Sequence, residues 1–415
     1  MSTPLTLIQL ISEQTMQNLV PLLALRPARV VHLATPKTAA RSAQIIQAAR
    51  QAQVATELES VRLSDMPSIP ETSRAILRAV QAAREANQTP VINFTGGTKL
   101  MSIGAYEAAM REEVTSLYVD TDHHQFLDGH SGPKLNTVLG DDFSFTSLQK
   151  ALTVDTIAVA NGRQRVTSGR NWQPFLPLAR HFLQAPADEA GTWQAVHGPG
   201  GLCPNAREPR RAADWLPLLD RALALPPRVG ELALAAGLLR ADGAKLLIPA
   251  TSRAMLEELG RAERPALPDY FAAVRPLQFA LGFLSGGWWE VAVADAANRS
   301  GQFRDLRWSV NVGDHRGGFD SEDDIIAVDG VQIAFFSCKR GGLKARLVPL
   351  LDELDNRARS IGGHFARTFL AVYQAPIGQI AANLQKRARD LGGIGIVTPQ
   401  NLEDPNTFAR NPAAA

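Results

Sequence analysis

The residues with the clearest chemical potential are an acid and a lysine in the last third of the chain, Asp324 and Lys339. Between them, Asp329-Gly330 separates two apolar runs and predicts a β-hairpin with a two-residue turn at these positions, so that Val328 faces Val331. Directly opposed residues share a sheet face, and the face alternates along each strand. Asp324 and Lys339 are therefore predicted on one face at the open end of the hairpin. In such a pair the acid holds a divalent cation, and the lysine orients the attacking water and stabilises the phosphorane charge.

Neighbouring residues define this candidate site further. Ser337 shares the face of the acid and the lysine, whereas Asp323 and Cys338 point to the opposite face. Glu290 follows Gly286-Gly287 on a preceding predicted helix, in the position of a further metal ligand. The alternative interpretation of the acid and the lysine is an exposed ion pair at a strand end.

The first third of the chain has elements that position a second kind of site. Five β-like runs alternate there with stretches whose apolar residues have helical spacing; the runs are 6–12, 28–35, 54–61, 89–94 and 115–121. This alternation indicates βαβ units and a mostly parallel sheet with helices on both faces, which is an α/β fold. In such sheets, ligands bind where loops gather at the carboxyl ends of the strands.

Two of these loops have the composition of an anion site. The loop after the fourth run combines hydroxyls, glycines and a cation at the start of a helix, namely Thr95, Gly96, Gly97, Thr98 and Lys99. The glycines let backbone N–H groups approach a ligand, and a helix N-terminus favours negative charge. The loop after the second run adds Thr35, Lys37 and Thr38 in the same topological position. The spacing matches neither a Walker A loop nor a dinucleotide fingerprint, and two ordinary turns with capping threonines are the alternative.

These loops resemble the two ligand-binding loops of CARF domains, the CRISPR-associated Rossmann-like sensors. The resemblance spans roughly residues 4–140, and its most specific piece is the NxTGGTKxM stretch, which adds Met101 to the candidate site. It implies a homodimer that binds a cyclic oligoadenylate across its two-fold axis, with cyclic tetra-adenylate as the first expectation. The phosphates of such a ring can accept hydrogen bonds from the backbone N–H groups of these loops and pair with their lysines.

The acid and lysine stretch resembles the core of the PD-(D/E)xK nucleases, a restriction-endonuclease-like α/β domain. GGWWE matches its first helix, SEDDIIAV its acidic strand and FFSCKRG its lysine strand. The resemblance implies Glu290, Asp324 and Lys339 as catalytic residues. It also implies a Mg²⁺ or Mn²⁺ ion held by the two acids and the main-chain carbonyl of Cys338. Ser337 stands where the family usually has an acid, a departure that we interpret as affecting metal stoichiometry rather than activity.

Composition sets limits on the whole chain. Of its 415 residues, 45% are apolar and 20% are charged, as in a soluble globular protein, and the net charge is +2. Two distant cysteines exclude a disulfide framework and fit a cytoplasmic protein, and no apolar run reaches the about 20 residues of a membrane helix. The predicted organisation is a CARF domain at 1–140, a connecting region with short helices at 141–270, a nuclease domain at 271–398 and a loose tail at 399–415.

Other candidate residues can be explained equally well by structural roles. His123-His124 are adjacent and would face opposite ways on a strand, so we interpret them as lining the sensor dimer or a turn. Arg357, Arg359 and Arg367 lie near the nuclease core, where they either meet substrate phosphates or belong to a solvated helix face.

Together, the two resemblances imply an ancillary nuclease of type III CRISPR defence. It would cleave DNA, RNA or both when a cyclic oligoadenylate occupies the sensor. One rival is a ligand-responsive CARF transcription regulator, for which a recognition helix within 215–260 would be needed. Another rival is a restriction or repair nuclease that cyclic oligoadenylates do not control.

Overall fold

The computed structural model describes residues 3–121, 123, 125–140, 148, 151–163, 165–203, 212–248, 253–261, 267–313, 321–341, 347–363 and 366–409. Within these ranges the chain forms two six-stranded sheets and one two-stranded sheet, with helices packed around them.

The N-terminal sheet contains every strand that the sequence predicts for this region. Its strands are β1 (Leu5–Leu10), β2 (Arg29–Ala34), β3 (Glu57–Arg62), β4 (Thr89–Asn93), β5 (Ser116–Asp120) and β6 (Gln125–Asp128). Their order is β3-β2-β1-β4-β5-β6. The first five run parallel, and β6 is an additional strand that pairs antiparallel with β5. The predicted Rossmann-like α/β fold is therefore confirmed.

Helices cover both faces of this sheet. They are α1 (Met16–Leu25), α2 (Ala39–Gln51), α3 (Ile69–Glu85), α4 (Lys99–Arg111) and the short α5 (Leu135–Leu139). Alternate side chains of β1 enter different cores: Leu7 packs on the face of α1 and α2, and Ile8 packs on the face of α3 and α4. Because both faces of the sheet are covered, β1 is buried on both sides along most of its length.

The middle of the chain is mainly helical. Its elements are α6 (Val154–Ala160), β7 (Arg165–Val166), α7 (Leu176–Gln184), α8 (Pro186–His197), α9 (Ala212–Leu219), α10 (Pro227–Ala235), the hairpin β8 (Arg240–Asp242) with β9 (Lys245–Leu247), and α11 (Arg253–Arg261). Large side chains of this region, including Phe182 and Trp215, share one buried core with Trp288 and Phe336 of the region that follows. Much of the predicted connecting region is therefore packed onto the candidate nuclease fold.

The C-terminal sheet has the order β14-β13-β12-β11-β10-β7. Its further strands are β10 (Arg304–Gly313), β11 (Ser321–Asp329), β12 (Gln332–Lys339), β13 (Arg367–Val372) and β14 (Gly395–Val397). The strands from β7 to β12 pair antiparallel, and β12, β13 and β14 run parallel. The surrounding helices are α12 (Leu267–Gly282), a π-helical turn (Phe283–Gly287), α13 (Trp288–Arg299), α14 (Leu347–Gly362) and α15 (Gly378–Asp390).

The β11–β12 hairpin corrects one detail of the predicted register. Asp329 pairs with Gln332, so the turn consists of Gly330 and Val331 instead of Asp329 and Gly330. Gly330 has φ of 61°, a left-handed conformation that glycine adopts without strain. Val328 accordingly faces Ile333. The slip is an even number of residues, so each side chain keeps its predicted face.

Helix α6 joins the two halves of the molecule. Nearly all of its residues are buried, and it packs against α1 and α2 on one side and against β11, β12 and α14 on the other. One apolar core consequently runs from Leu19 of α1 through Ile157 of α6 to Phe335 of β12.

The segment predicted as a loose tail is in part a packed element. Phe408 is buried against Phe303, Phe336 and Phe369. Glu403 accepts two hydrogen bonds from the guanidinium of Arg299, at 2.7 and 2.9 Å. The expectation of a loose tail from residue 399 is therefore wrong for residues 401–409, because Phe408 completes the aromatic core and Glu403 is held by Arg299.

Candidate activator site and candidate catalytic site

The candidate activator loops lie at one edge of the N-terminal sheet. Strand β1 is central, with β2 on one side and β4 on the other, so the chain reverses its winding between β1 and β4. Ligands of open α/β sheets bind at such a reversal, beyond the carboxyl ends of the strands. The loops after β1, β2 and β4 all begin at that edge.

The loop between β4 and α4 is held by its threonines. Thr95 Oγ1 donates to Asn93 Oδ1 at 2.6 Å and accepts the N–H of Val119 at 2.7 Å, so it ties the loop to β5. Thr98 caps α4, because its hydroxyl accepts the N–H of Met101 at 3.3 Å. Met101 is almost completely buried. These three side chains therefore build the loop, and their geometry gives them a supporting role beneath any ligand.

The two glycines of this loop are required by close packing. A Cβ on Gly96 would lie 2.2 Å from the carbonyl oxygen of Leu10, at the end of β1. Gly97 has φ of 77°, and a Cβ there would lie 3.1 Å from the side chain of Met101. Lys99 follows in the first turn of α4 with an exposed side chain. The loop thus brings backbone and one exposed cation to the sheet edge.

The loop between β2 and α2 is built in a similar way. Thr35 and Thr38 are buried, and the N–H of Thr35 donates to Thr38 Oγ1 at 3.1 Å. Lys37 is exposed, and its Nζ lies 2.9 Å from Oε1 of Glu13, a residue of the loop after β1. Lys37 and Lys99 are thus both exposed at this edge, whereas the threonines fix the backbone.

Sequence reasoning missed the polar network beneath these loops. His32 of β2 hydrogen-bonds Gln9 at 2.8 Å and Ser42 at 2.7 Å, and Asn93 donates to Gln9 Oε1 at 3.3 Å. Burial lowers the pKa of His32 to about 3, so its imidazole is neutral in the folded protein. A lone histidine in an apolar run gives no signal of such a network, because its partners are distant in sequence.

His123 lies in the turn after β5, as one of the two sequence interpretations expected, and His124 is outside the described residues. Nδ1 of the His123 ring lies 2.8 Å from Asp120 Oδ2, and the main-chain N–H of His123 donates to Asp120 Oδ1 at 3.0 Å. Burial raises the pKa of the Asp120 carboxyl, but the hydrogen bonds from His123 outweigh this and the net shift is downward.

The candidate catalytic pair lies together at the open end of the β11–β12 hairpin. Asp324 Oδ2 accepts the N–H of Cys338 at 2.6 Å and lies 3.4 Å from the Nζ of Lys339. Both side chains remain partly exposed, at 24% for the acid and 32% for the lysine. Asp323 is buried on the other face, where it pairs with Arg357 at 3.4 Å. This is the division between the two acids that the alternation of the strand predicts.

Glu290 lies in the first turn of α13 and is half-buried. Its Oε2 accepts the indole N–H of Trp308, a buried residue of β10, at 2.8 Å. Burial, followed by the negative charges of Asp324 and Glu290, raises the pKa of the Cys338 thiol well above its ordinary value. Trp308 pairs with Ile325, the residue after Asp324, so the structure brings the two carboxylates into the same neighbourhood. The protonated thiol is unsuited to nucleophilic attack.

The donor set suits a hard divalent cation. Across the part of the chain that the structure describes, no group of three or more histidine, cysteine, aspartate or glutamate side chains could hold a metal ion. The predicted set contains two such side chains, those of Glu290 and Asp324, and the main-chain carbonyl of Cys338. These are oxygen donors, which Mg²⁺ and Mn²⁺ prefer, and Mg²⁺ usually keeps several waters. The residues present therefore fit a sparsely ligated ion.

The three arginines that the sequence analysis singled out are engaged in ion pairs. Arg357 contacts Asp323 and Glu353, Arg359 contacts Asp355, and Arg367 contacts the buried Asp329. These pairs favour a structural role for the three side chains over phosphate binding.

Comparison with known proteins assigns the N-terminal part of the chain. Residues 6–134 match the family described as the Card1 CARF domain. This region is a CARF domain. The match includes both candidate loops, from Thr35 to Thr38 and from Thr95 to Met101. No curated protein matches the chain in sequence.

Solved structures share the fold of nearly the whole chain at low sequence identity. Can2 from Sulfobacillus thermosulfidooxidans, in complex with cyclic tetra-adenylate, has a TM-score of 0.65 and 18% identity, covering 98% of this chain and 99% of that one. Protein VC1899 from Vibrio cholerae has a TM-score of 0.68 and 15% identity, covering 98% and 97%. A type III CRISPR defence DNA nuclease activated by cyclic oligoadenylate has a TM-score of 0.55 and 16% identity, covering 100% of this chain and 53% of that one. The common fold extends through the CARF domain and the C-terminal sheet. Among the described residues, no helix is both long and apolar enough to span a membrane.

Proposed function

We propose that the protein is a metal-dependent nuclease activated by a cyclic oligoadenylate in type III CRISPR defence. The observation that supports this most directly is the contact of Asp324 with both Lys339 and the Cys338 N–H, in a chain that also contains a CARF domain. A regulator that only binds DNA has no need of an acid and a lysine held together beside Glu290. The shared fold with Can2 is consistent with the same arrangement of sensor and effector.

The proposed chemistry is hydrolysis of a phosphodiester bond in DNA, RNA or both. A Mg²⁺ or Mn²⁺ ion held by Glu290, Asp324 and the carbonyl of Cys338 would supply Lewis acidity and lower the pKa of a bound water. Lys339 is held near Asp324 by the ion pair, so its ammonium can orient that water and stabilise charge on the phosphate. The hydrogen bond from the Trp308 indole orients the Glu290 carboxylate.

The proposed activator is cyclic tetra-adenylate, bound across a homodimer. A ring with internal two-fold symmetry can receive the same loops from two copies of the chain. Lys37 and Lys99 are exposed at the loop edge and can pair with its phosphates. Two reduced, buried cysteines are in keeping with a cytoplasmic site of action.

The homodimer is supported by an apolar surface on the CARF domain. Helix α4 exposes a row of large apolar side chains along one face, and two residues of β5 and β6 extend it; they are Leu100, Ile103, Tyr106, Met110, Tyr118 and Leu127. The ring of Phe94 joins the two parts, at 5.4 Å from Tyr106 and 6.0 Å from Tyr118. A contiguous exposed apolar patch marks an interaction site, and this one begins beside Lys99 at the proposed activator edge.

The regulator alternative has one observation in its favour. Helix α10 is followed directly by the β8–β9 hairpin, the order of a helix and wing in some DNA-binding domains. However, the one arginine of α10, Arg228, pairs with Glu231 of the same helix at 2.7 Å. A helix without net positive charge is poorly suited to bind phosphates.

Cleavage assays distinguish these functions. The full-length protein is incubated with Mn²⁺ and either plasmid DNA or single-stranded RNA, with and without cyclic tetra-adenylate or cyclic hexa-adenylate. The proposal expects cleavage that requires one of the two rings. Cleavage that ignores both rings would indicate a restriction or repair nuclease. An activator-dependent shift of duplex DNA without cleavage would indicate the regulator.

A further inference from the structure

Helix α8 lies in the predicted connecting region but contacts two elements of the candidate catalytic site. Glu189, Trp193 and His197 are spaced four residues apart and form one face of this helix, which we call the α8 face. Glu189 and Trp193 contact the end of β12, and His197 contacts the turn that precedes α13.

The contact with β12 is made to Arg340, the residue after Lys339. Its Nε donates to Glu189 Oε1 at 2.6 Å, and its Nη2 donates to Oε2 at 3.1 Å. The guanidinium lies over the ring of Trp193, 4.0 Å from the centroid. Glu189 is 5% exposed and Arg340 is 17% exposed, so this fork is shielded from solvent. A planar guanidinium with two hydrogen bonds and a stacked ring has very little freedom. The backbone beside Lys339 is therefore fixed in place.

The second contact is made to the π-helical turn. His197 Nε2 lies 2.8 Å from Ser285 Oγ, and the Ser285 hydroxyl donates to the carbonyl of Leu281 at 2.6 Å. The rings of Trp193 and His197 are 4.1 Å apart, so the two contacts of the α8 face support each other. The next residue of the turn, Gly286, has φ of 151°, and a Cβ there would lie 3.2 Å from the Cβ of Arg340.

That turn leads directly into α13 and Glu290. Gly286 inside it lies outside helical φ/ψ, so the helix axis is kinked at this point. The α8 face thus touches the residue next to Lys339 at one end and the turn before Glu290 at the other. The proposed metal ligands stand on different elements, Glu290 on α13 and Asp324 on the hairpin. Such a ligand set works only if its separation is held to within about 0.5 Å.

We propose that the α8 face sets the separation between the Glu290 helix and the Asp324–Lys339 hairpin, and so tunes the affinity of the site for its divalent cation. Arg340 and His197 are positioning residues in this proposal, because they act through the elements that they hold. The inference rests on the proposed nuclease function. It also gives the middle of the chain a defined role in the chemistry.

The test measures Mn²⁺ binding to the full-length protein by calorimetry and the Mn²⁺ concentration that gives half-maximal cleavage. Arg340→Lys keeps the charge but loses the paired hydrogen bonds to Glu189 and the flat surface that stacks on Trp193. His197→Gln alters the contact with Ser285 at the other end of the α8 face. Each variant is expected to weaken Mn²⁺ binding about tenfold, as loss of an outer-sphere support does. The double variant is expected to bind Mn²⁺ no more weakly than either single variant. Breaking either contact is enough to let the Glu290 helix and the hairpin move relative to each other.

A matched control lies at the opposite end of the same hairpin. Arg367 forms an ion pair with the buried Asp329 there and also lies over an aromatic ring, that of Phe369. Arg367→Lys is expected to lower the melting temperature by at least as much as Arg340→Lys and to leave Mn²⁺ affinity unchanged.

Wild-type Mn²⁺ affinity in both positioning variants would overturn the inference, as would additive losses in the double variant or an equal loss in the Arg367→Lys control. Activator-dependent cleavage by the wild-type protein in the same series would show that the proposed function stands even then. A wild-type protein that neither binds Mn²⁺ nor cleaves would overturn both.

Discussion

Thr15 donates a hydrogen bond from its hydroxyl to Asn161 Oδ1 at 2.9 Å, and this bond joins the CARF domain to the helix beneath the C-terminal sheet. Thr15 ends the loop after β1, whose Glu13 meets Lys37 at the proposed activator edge. Asn161 ends α6, and its carbonyl also accepts a hydrogen bond from Arg41 of α2 at 3.0 Å. The loop after β1 and the first turn of α2 are therefore both connected, through one asparagine, to the helix that packs on β11 and β12.

This relationship predicts that Asn161→Ala separates binding from activation. The variant should bind cyclic tetra-adenylate within a few-fold of the wild type, because Asn161 lies below the loops that would hold the ring. Its activated cleavage should fall about tenfold, since a coupling network typically contributes about 0.5–2 kcal/mol. Calorimetry and a cleavage assay on the same preparation measure the two quantities. Loss of binding together with activity would contradict the prediction.

A second prediction concerns the loop between β4 and α4. Lys99→Ala should abolish activation and weaken activator binding strongly, because it removes an exposed cation at a helix start. Gly97→Val should do the same, since φ of 77° and the close side chain of Met101 leave no room for a branched residue. Lys134→Ala, an exposed lysine of the same domain, is the control and should bind as the wild type does. Unchanged affinity in both loop variants, measured by calorimetry, would remove the site from this loop.

A third prediction concerns the apolar surface of α4. Ile103→Lys places a charge in the middle of the proposed dimer interface and should convert the protein to a monomer in light scattering at micromolar concentration. Ile377→Lys is a suitable control, because Ile377 is still more exposed but lies in the C-terminal half. A wild-type protein that is monomeric without activator would contradict the preassembled dimer.

The parallel sheet and the proximity of Asp324 and Lys339 were accessible from the sequence for physical reasons. Short β-like runs with intervening amphipathic helices indicate a doubly covered parallel sheet. The period of two along a strand determines which acid faces Lys339. The turn was misplaced by one residue, yet the slip left the faces unchanged. Local sequence patterns are thus sufficient to predict which face of a strand a side chain occupies.

The contacts of the middle region were not accessible from the sequence. Helix α8 has a mixed sequence, and its Glu189 finds Arg340 more than a hundred residues away. Asn161 and Thr15 are likewise more than a hundred residues apart in sequence. Such pairs depend on how separate elements dock, and no local spacing encodes them. Phe408 was missed for the same reason, because only the folded core shows a cavity that an aromatic residue near the terminus can fill.

A fourth prediction concerns pH and the buried His32. Its pKa is about 3 in the folded protein, whereas an unfolded histidine titrates near pH ~6.5. Between these values the unfolded chain binds a proton that the folded one does not. His32 therefore costs no stability above pH ~6.5, and stability falls as the pH decreases toward 3, by up to about 1.4 kcal/mol per pH unit.

Chemical denaturation of the wild type and of His32→Gln between pH 4 and 8 measures this effect. The difference in unfolding free energy should favour the wild type most at pH 8 and shrink as the pH falls. The glutamine can still reach Gln9 and Ser42 without titrating. A difference that stays constant across this range would contradict the assignment.

The last prediction separates two adjacent acids. Asp324→Ala should leave almost no activated cleavage at saturating Mn²⁺, because it removes the carboxylate that meets Lys339 and the Cys338 N–H. A loss of several kcal/mol of transition-state stabilisation is expected, each about 1.4 kcal/mol being tenfold in rate. Glu290→Ala and Lys339→Ala should be similarly inactive, with melting temperatures close to the wild type because all three side chains are partly exposed.

Asp323→Ala should behave in the opposite way. Asp323 is buried and pairs with Arg357 of α14, so its loss leaves that arginine without this partner and should cost about 1–3 kcal/mol of stability. Most of the activated cleavage should remain, because the side chain points away from Lys339. An inactive Asp323→Ala beside an active Asp324→Ala would mean that β11 is shifted by one residue relative to β12. The metal-binding acid would then be Asp323, and the assignment of the whole face would reverse.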